Sequence, residues 1–182
     1  MNEKITRVWA MPNKNTFDIP PIGHLVKRYL VKSAVSIDPF ARDKCWATYT
    51  NDLNPDTKAQ YHMDALEFLH KIKSEGIRAD LVILDPPYSL RQIQECYEGI
   101  GRAITAKESQ RFYADVKDII NTVVQPGGRV LSFGWNSIGM GIGRGYQIEE
   151  ILLVCHGRAH NDTICVVEQR VDCEQVELAM RR

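Results

Sequence analysis

Along the chain, apolar runs of strand length alternate with stretches that carry apolar residues at helical spacing. Ala34 to Asp38 and Trp46 to Asn51 read as short strands, each leading to a carboxylate, Asp38 and Asp52. Asp64-Ala65-Leu66-Glu67 has the form of a capping box, and Leu66, Leu69 and Ile72 continue it as a helix that stops at Gly76. Asp80 to Leu84 is a continuous apolar run closed by Asp85-Pro86-Pro87, the pattern of a strand buried on both faces. Thr105-x-x-Glu108 opens a second helix, with Phe112, Val116, Ile119, Ile120 and Val123 on one face. Pro126-Gly127-Gly128 ends it, and Arg129 to Gly134 is the next strand. Ile148 to Cys155 and Thr163 to Arg170 form an expected antiparallel hairpin. Proline-rich residues 1–20 are expected to be irregular, followed by a helix from Pro21 to about Lys32. Tyr88 to Ala106 reads as a polar loop, and the alternating glycines from Gly139 to Gly145 as a flexible one.

Strands alternating with helices imply an α/β fold with helices on both faces of a mainly parallel sheet. Ligands in such folds bind beyond the carboxyl ends of the strands. Asp38, Asp52 and Asp85 fall at that rim, and Asp64 follows a further connection to a helix. For Asp38 a turn former, and for Asp64 a plain helix cap, are equally good readings.

Composition narrows the class without deciding it. The 182 residues are 44% apolar and 25% charged, with 23 basic against 23 acidic, which suits one globular domain and gives no overall field for nucleic acid. The one asymmetry is amino-terminal, where Lys4, Arg7, Lys14, Lys27, Arg28 and Lys32 outweigh Glu3 and Asp18. Five cysteines with no C-x-x-C pair read as reduced thiols, and the opening MNEKITRVW lacks a signal peptide's apolar block. A cytoplasmic protein with no membrane span and no metal site is expected. The scattered histidines have no ligand spacing, and single tryptophans such as Trp9 and Trp135 are more often core or interface.

Asp85-Pro86-Pro87-Tyr88 carries the chemistry. Two successive prolines fix φ and lack N–H groups, so their carbonyls are free to accept. A carboxylate, bare carbonyls and an aromatic ring within four residues suit a planar amino group. Asp85 would accept one N–H, the Pro86 carbonyl the other, and Tyr88 would stack on the ring.

In this tetrapeptide and its surroundings the sequence resembles the amino-group (N6-adenine or N4-cytosine) DNA methyltransferases, which carry D/N/S-P-P-Y/F/W after their fourth strand. Asp38-Pro39-Phe40-Ala41 resembles the start of that family's D-P-F-x-G cofactor loop. Asp52 stands where its ribose-binding acid belongs, and Asp64-Ala65 near its adenine-binding position. The resemblance covers residues 34–170, with 1–33 as an amino-terminal extension and 171–182 as a tail. It implies a Rossmann-like class I methyltransferase fold, a mixed seven-stranded sheet ending in an antiparallel hairpin. It also implies S-adenosylmethionine as cofactor and methyl transfer to a DNA base, most simply adenine N6. Stand-alone enzymes of phages and prophages are similar in size.

The chain departs from that pattern in two ways. Arg42-Asp43-Lys44 replaces the glycines of the cofactor loop, and only 14 positions separate Asp38 from Asp52, too few for a helix and a strand. Phe40 to Arg42 and Asn13 to Phe17 are then the candidates for holding the methionine end. No separate target-recognition domain is expected. DNA contacts fall to Lys14, to Arg91 and Arg102, and to His160 and Asn161, for which a hairpin turn is the first reading and a base or phosphate contact the second, or specificity comes from a protein partner. RNA, a protein glutamine amide, or a non-catalytic binding role remain as alternatives.

Overall fold

The computed structural model describes residues 4–157 and 160–171; the charged tail and Cys173 lie outside the described residues. Seven strands form one sheet in the order β1-β6-β7-β5-β4-β2-β3. They are β1 (Lys4–Trp9), β2 (Ser36–Asp38), β3 (Tyr49–Thr50), β4 (Ala79–Leu84), β5 (Val124–Gly134), β6 (Tyr146–Cys155) and β7 (Thr163–Arg170). β7 is antiparallel to both β5 and β6, and the remaining pairs are parallel. The mixed sheet with its terminal hairpin is the fold expected from the sequence.

The continuous apolar run of β4 does what a doubly covered strand must. Val82 and Leu84 pack into a core with α2 (Ala65–Ser74) and α4 (Ala106–Val123). Leu81 and Ile83 point the other way, into a core with Ile22, Leu25 and Val26 of α1 (Pro20–Leu30). The box expected at Thr105 and Glu108 forms, whereas Asp64 caps its helix one way, accepting from the Leu66 N–H with no return bond from Glu67 among the described residues. Pro20 and Pro21 start α1, where a missing N–H costs no helix bond.

Three expectations are corrected. Residues 4–9, expected to be irregular, are β1, which adds in parallel to the outer edge of β6. This edge strand leaves Ile5 and Trp9 exposed, so it has no buried face to show as an apolar pattern. Within the polar 88–106 stretch lies α3 (Leu90–Glu98), capped by Ser89 and burying only Ile93. The glycine-rich 139–145 segment is anchored rather than free: the Glu168 carboxylate accepts the N–H groups of Met140 and Gly141.

This topology gathers loops at one rim. β1, β2, β3, β4, β5 and β6 all run the same way, so their carboxyl ends, and the start of antiparallel β7, meet there. From β2 the chain moves outward to β3, and from β4 outward to β5, which leaves a crevice between β2 and β4. No helix among the described residues is long and apolar enough to cross a membrane.

Candidate active site

A cleft of about 950 Å³ opens at this rim. Its wall takes residues from the end of every parallel strand: Thr16 after β1, Phe40 after β2, Asp52 after β3, Asp85 after β4, Trp135 after β5 and His156 after β6.

Asp85 leaves β4 into the two prolines. No hydrogen bond from the described residues reaches the Pro86 carbonyl, whereas the Pro87 carbonyl accepts from Tyr113 Oη at 2.6 Å. The motif therefore presents one anchored and one open carbonyl. Tyr88 is held at both ends, its N–H donating to Gln92 Oε1 at 2.6 Å and its phenol to Asp85 Oδ1 at 2.5 Å. Its ring meets Trp135 edge-on at 5.7 Å. Burial raises the pKa of Asp85, while hydrogen bonds from Tyr88 and Thr16 and the charge of Arg42 oppose the rise. Burial, then the Asp85 charge, drive Tyr88 upward, so it stays a phenol and a donor.

The opposite wall is the turn between β2 and β3. Asp38 lies under it, 1% exposed, with Oδ1 accepting the Phe40 N–H at 3.0 Å and Oδ2 without a partner among the described residues. Burial holds this carboxyl well above its ordinary range, and the charges of Asp85 and Asp52 add to the effect. Asp52 accepts the N–H groups of Asn54 at 2.9 Å and Arg42 at 3.0 Å. Buried Asn51 locks the wall together. Its Nδ2 donates to the Pro39 and Met63 carbonyls, and its Oδ1 accepts the Met63 N–H.

Most of the residues singled out in the sequence come together here. Asp85, Pro86, Pro87, Tyr88, Pro39, Phe40, Asp52, Ala65, Lys14, His160 and Asn161 all line the cleft. Four others do not. Asp38 is beneath the wall, and Asp64 spends one oxygen on the Leu66 N–H and the other on the Tyr97 hydroxyl. Arg91 pairs with Glu95 on the exposed side of α3, and Arg102 is exposed beyond that helix. Among the described residues no group of three or more His, Cys, Asp or Glu side chains is placed to hold a metal ion.

Sequence reasoning missed Asn51 and Tyr113, read Trp135 as core or interface before a base-stacking ring, and left His156 among the surface or core histidines. The ring of His156 joins the Ala10 carbonyl (Nδ1, 2.9 Å) to Thr163 Oγ1 (Nε2, 2.9 Å). A carbonyl only accepts, so Nδ1 is the donor in the first of these bonds. Trp135 had a usable signal, its place directly after a strand ending at the rim. Asn51 and Tyr113 had none, because their partners are distant backbone atoms.

No protein-family model matches the chain, and no curated protein matches it. Solved structures do. TrmN from Thermus thermophilus aligns at a TM-score of 0.54 with 14% identity, over 84% of this chain and 49% of that one. NSun6 from Pyrococcus horikoshii, crystallised with SFG, aligns at 0.53 with 13% identity, over 80% and 50%. The N-methyltransferase NodS from Bradyrhizobium japonicum, in complex with S-adenosyl-L-homocysteine, aligns at 0.53 with 10% identity, over 88% and 90%. The chain thus spans about half the length of the first two and nearly all of the third. Its fold is the Rossmann-like fold of the class I methyltransferases.

Proposed function

We propose that this chain is an S-adenosylmethionine-dependent methyltransferase acting on the exocyclic amino group of a nucleic-acid base, adenine N6 in DNA above all. The observation that carries the reading is the pair of neighbouring acceptors at the end of β4, the Asp85 carboxylate and the open Pro86 carbonyl, with Tyr88 and Trp135 beside them.

The residues present fit the cofactor. The cleft volume falls within the range of small-molecule sites, roughly 300–1,000 Å³. Asp52 is the acceptor for ribose hydroxyls, Phe40 and Ala65 give apolar wall for the adenine, and the orphaned Oδ2 of Asp38 leaves an unsatisfied polar atom under the same loop. The cofactor supplies an electrophilic methyl group on a sulfonium.

The chain's own groups do the rest. An adenine amino nitrogen is a poor nucleophile because its lone pair is delocalised into the ring. Asp85 and the Pro86 carbonyl, each accepting one N–H, hold the nitrogen with its lone pair free and aimed away from them. The work is positioning and stabilisation of positive charge growing on nitrogen. The nitrogen sheds one proton once methylated, and the adjacent Asp85 carboxylate is an acceptor for it. A duplex base must leave the stack, at a few kcal/mol, and stacking on Tyr88 offsets about 1–3 kcal/mol.

The test is transfer of labelled methyl from S-adenosylmethionine in the presence of unmethylated duplex DNA, RNA or a glutamine-containing protein substrate. Label in DNA supports the reading; label only in RNA or protein moves the substrate class. No label and no cofactor binding leave a binding module on this fold.

A further inference from the structure

Arg42 occupies a position where glycine is the unstrained choice. Its φ of 51° makes it the one non-glycine residue with positive φ among the described residues. An L-residue is disfavoured there because Cβ crowds the neighbouring carbonyl oxygen. Two bonds fix it: its N–H donates to Asp52 Oδ2 at 3.0 Å, and its Nη1 to the Lys14 carbonyl at 2.8 Å. Neither calls for an arginine. The first is a backbone bond open to almost any residue, and the second is to a neutral oxygen.

What remains is a guanidinium in the cleft wall without a partner of opposite charge. Among the described residues it makes no ion pair, and its Nε and Nη2 make no hydrogen bond. It lines the same cleft as Asp52 and Asp85, and its charge acts on both. A planar fork of donors in that position suits a planar anion, above all a carboxylate. The turn from β2 to β3 also contains no helix, so no helix amino terminus faces the cleft from it.

We infer that Arg42 binds the carboxylate of the methionine moiety of S-adenosylmethionine, in place of a glycine-rich loop. The assignment rests on the cofactor reading above. Asp52 marks the ribose end of the cleft and Asp85 the end where methyl transfer occurs. The amino-acid moiety branches off at the sulfur between those ends, and Arg42 is a cation of that cleft wall, its backbone bonded to Asp52 and its charge acting on both carboxylates.

Calorimetric titration of the wild type and Arg42→Gly with two ligands tests this. S-adenosylhomocysteine carries the amino-acid carboxylate, and 5′-methylthioadenosine is the same adenosyl thioether without it. Glycine relaxes the backbone at this φ, so the variant keeps the fold, and its thermal midpoint should stay close to the wild type's. The expected result is a loss of about 10- to 100-fold in S-adenosylhomocysteine affinity, the scale of a charge-assisted pair, with methylthioadenosine affinity unchanged. Arg42→Lys should recover part of the loss.

An equal loss for both ligands would overturn the assignment. So would intact S-adenosylhomocysteine binding with weakened duplex binding, which would give Arg42 to a phosphate instead. A wild type that binds neither ligand would overturn the cofactor reading itself, and this assignment with it.

Discussion

The Tyr88 phenol donates to the Asp85 carboxylate across 2.5 Å, so the two groups expected to meet a base from different sides are bonded to each other. The bond occupies Oδ1 of Asp85 beside the Thr16 hydroxyl, and the carboxylate keeps further lone pairs for an amino hydrogen. It also keeps the carboxylate acceptor-competent, because a donor on Asp85 opposes the rise in pKa that burial imposes.

Tyr88→Phe should therefore keep the stacking surface but let the Asp85 pKa rise. Asp85 must be ionised to accept, so the acid limb of the kcat/KM profile should move to higher pH. A pH–rate series on both proteins checks this, and coincident limbs would show that the phenol does not tune Asp85. Tyr88→Ala should lose stacking as well, at about 1–3 kcal/mol.

Tyr113 acts at one remove, by anchoring the Pro87 carbonyl. Tyr113→Phe should leave stability within about 0.5–1.5 kcal/mol of the wild type, the worth of one hydrogen bond. Because the acceptor pair at Asp85 and Pro86 loses its brace, kcat should fall by about tenfold, while cofactor affinity holds. A fall confined to cofactor affinity would place Tyr113 elsewhere in the mechanism.

Asp38 gives the fold a pH dependence of definite sign. Its folded pKa is raised well above the ordinary 3.8, so the folded chain keeps a proton that the unfolded chain gives up. That contribution is present in full below the ordinary pKa and is lost as pH rises through the raised one. Asp38→Asn keeps an oxygen for the Phe40 N–H and removes the charge. In urea unfolding across a pH series, the variant should gain on the wild type as pH rises; parallel curves would contradict the account.

The anchored glycine segment is equally testable. Gly139 has φ 53°, and a Cβ there would stand 2.1 Å from Glu168 Oε2. Gly139→Ala should cost about 1–2 kcal/mol from the left-handed backbone alone, and more from displacing the carboxylate. Urea unfolding at constant pH measures it, and an unchanged midpoint would mean that the Glu168 contact carries no weight.

What was legible in the sequence was what repeats along it. The double-faced burial of β4, the two caps and the hairpin are local patterns, and they suffice to put Asp85 at the rim. β1 was not legible because an edge strand that exposes Ile5 and Trp9 buries nothing periodic. α3 was hidden by having Ile93 as its only buried side chain. In the cleft, residues read from the tetrapeptide and the loop signature lie together. Asn51 and Tyr113 stayed invisible, since each acts on a backbone atom 12 or more positions away. Asp64 illustrates the reverse case, a residue with a local role as helix cap whose second oxygen bonds Tyr97.

The most direct test of the account is product analysis. The protein is incubated with methyl-labelled S-adenosylmethionine and unmethylated duplex DNA, and the DNA is digested to nucleosides. Asp85→Asn, which removes the charge but keeps the side chain's shape, runs in parallel with its cofactor binding checked by calorimetry. The account predicts label in N6-methyladenine and a rate at least about 100-fold lower in the variant, the scale of losing one aligned electrostatic contact to the reacting group. Cofactor affinity should be retained. Label in DNA that is indifferent to Asp85, or cofactor binding with no transfer to any base, would contradict it.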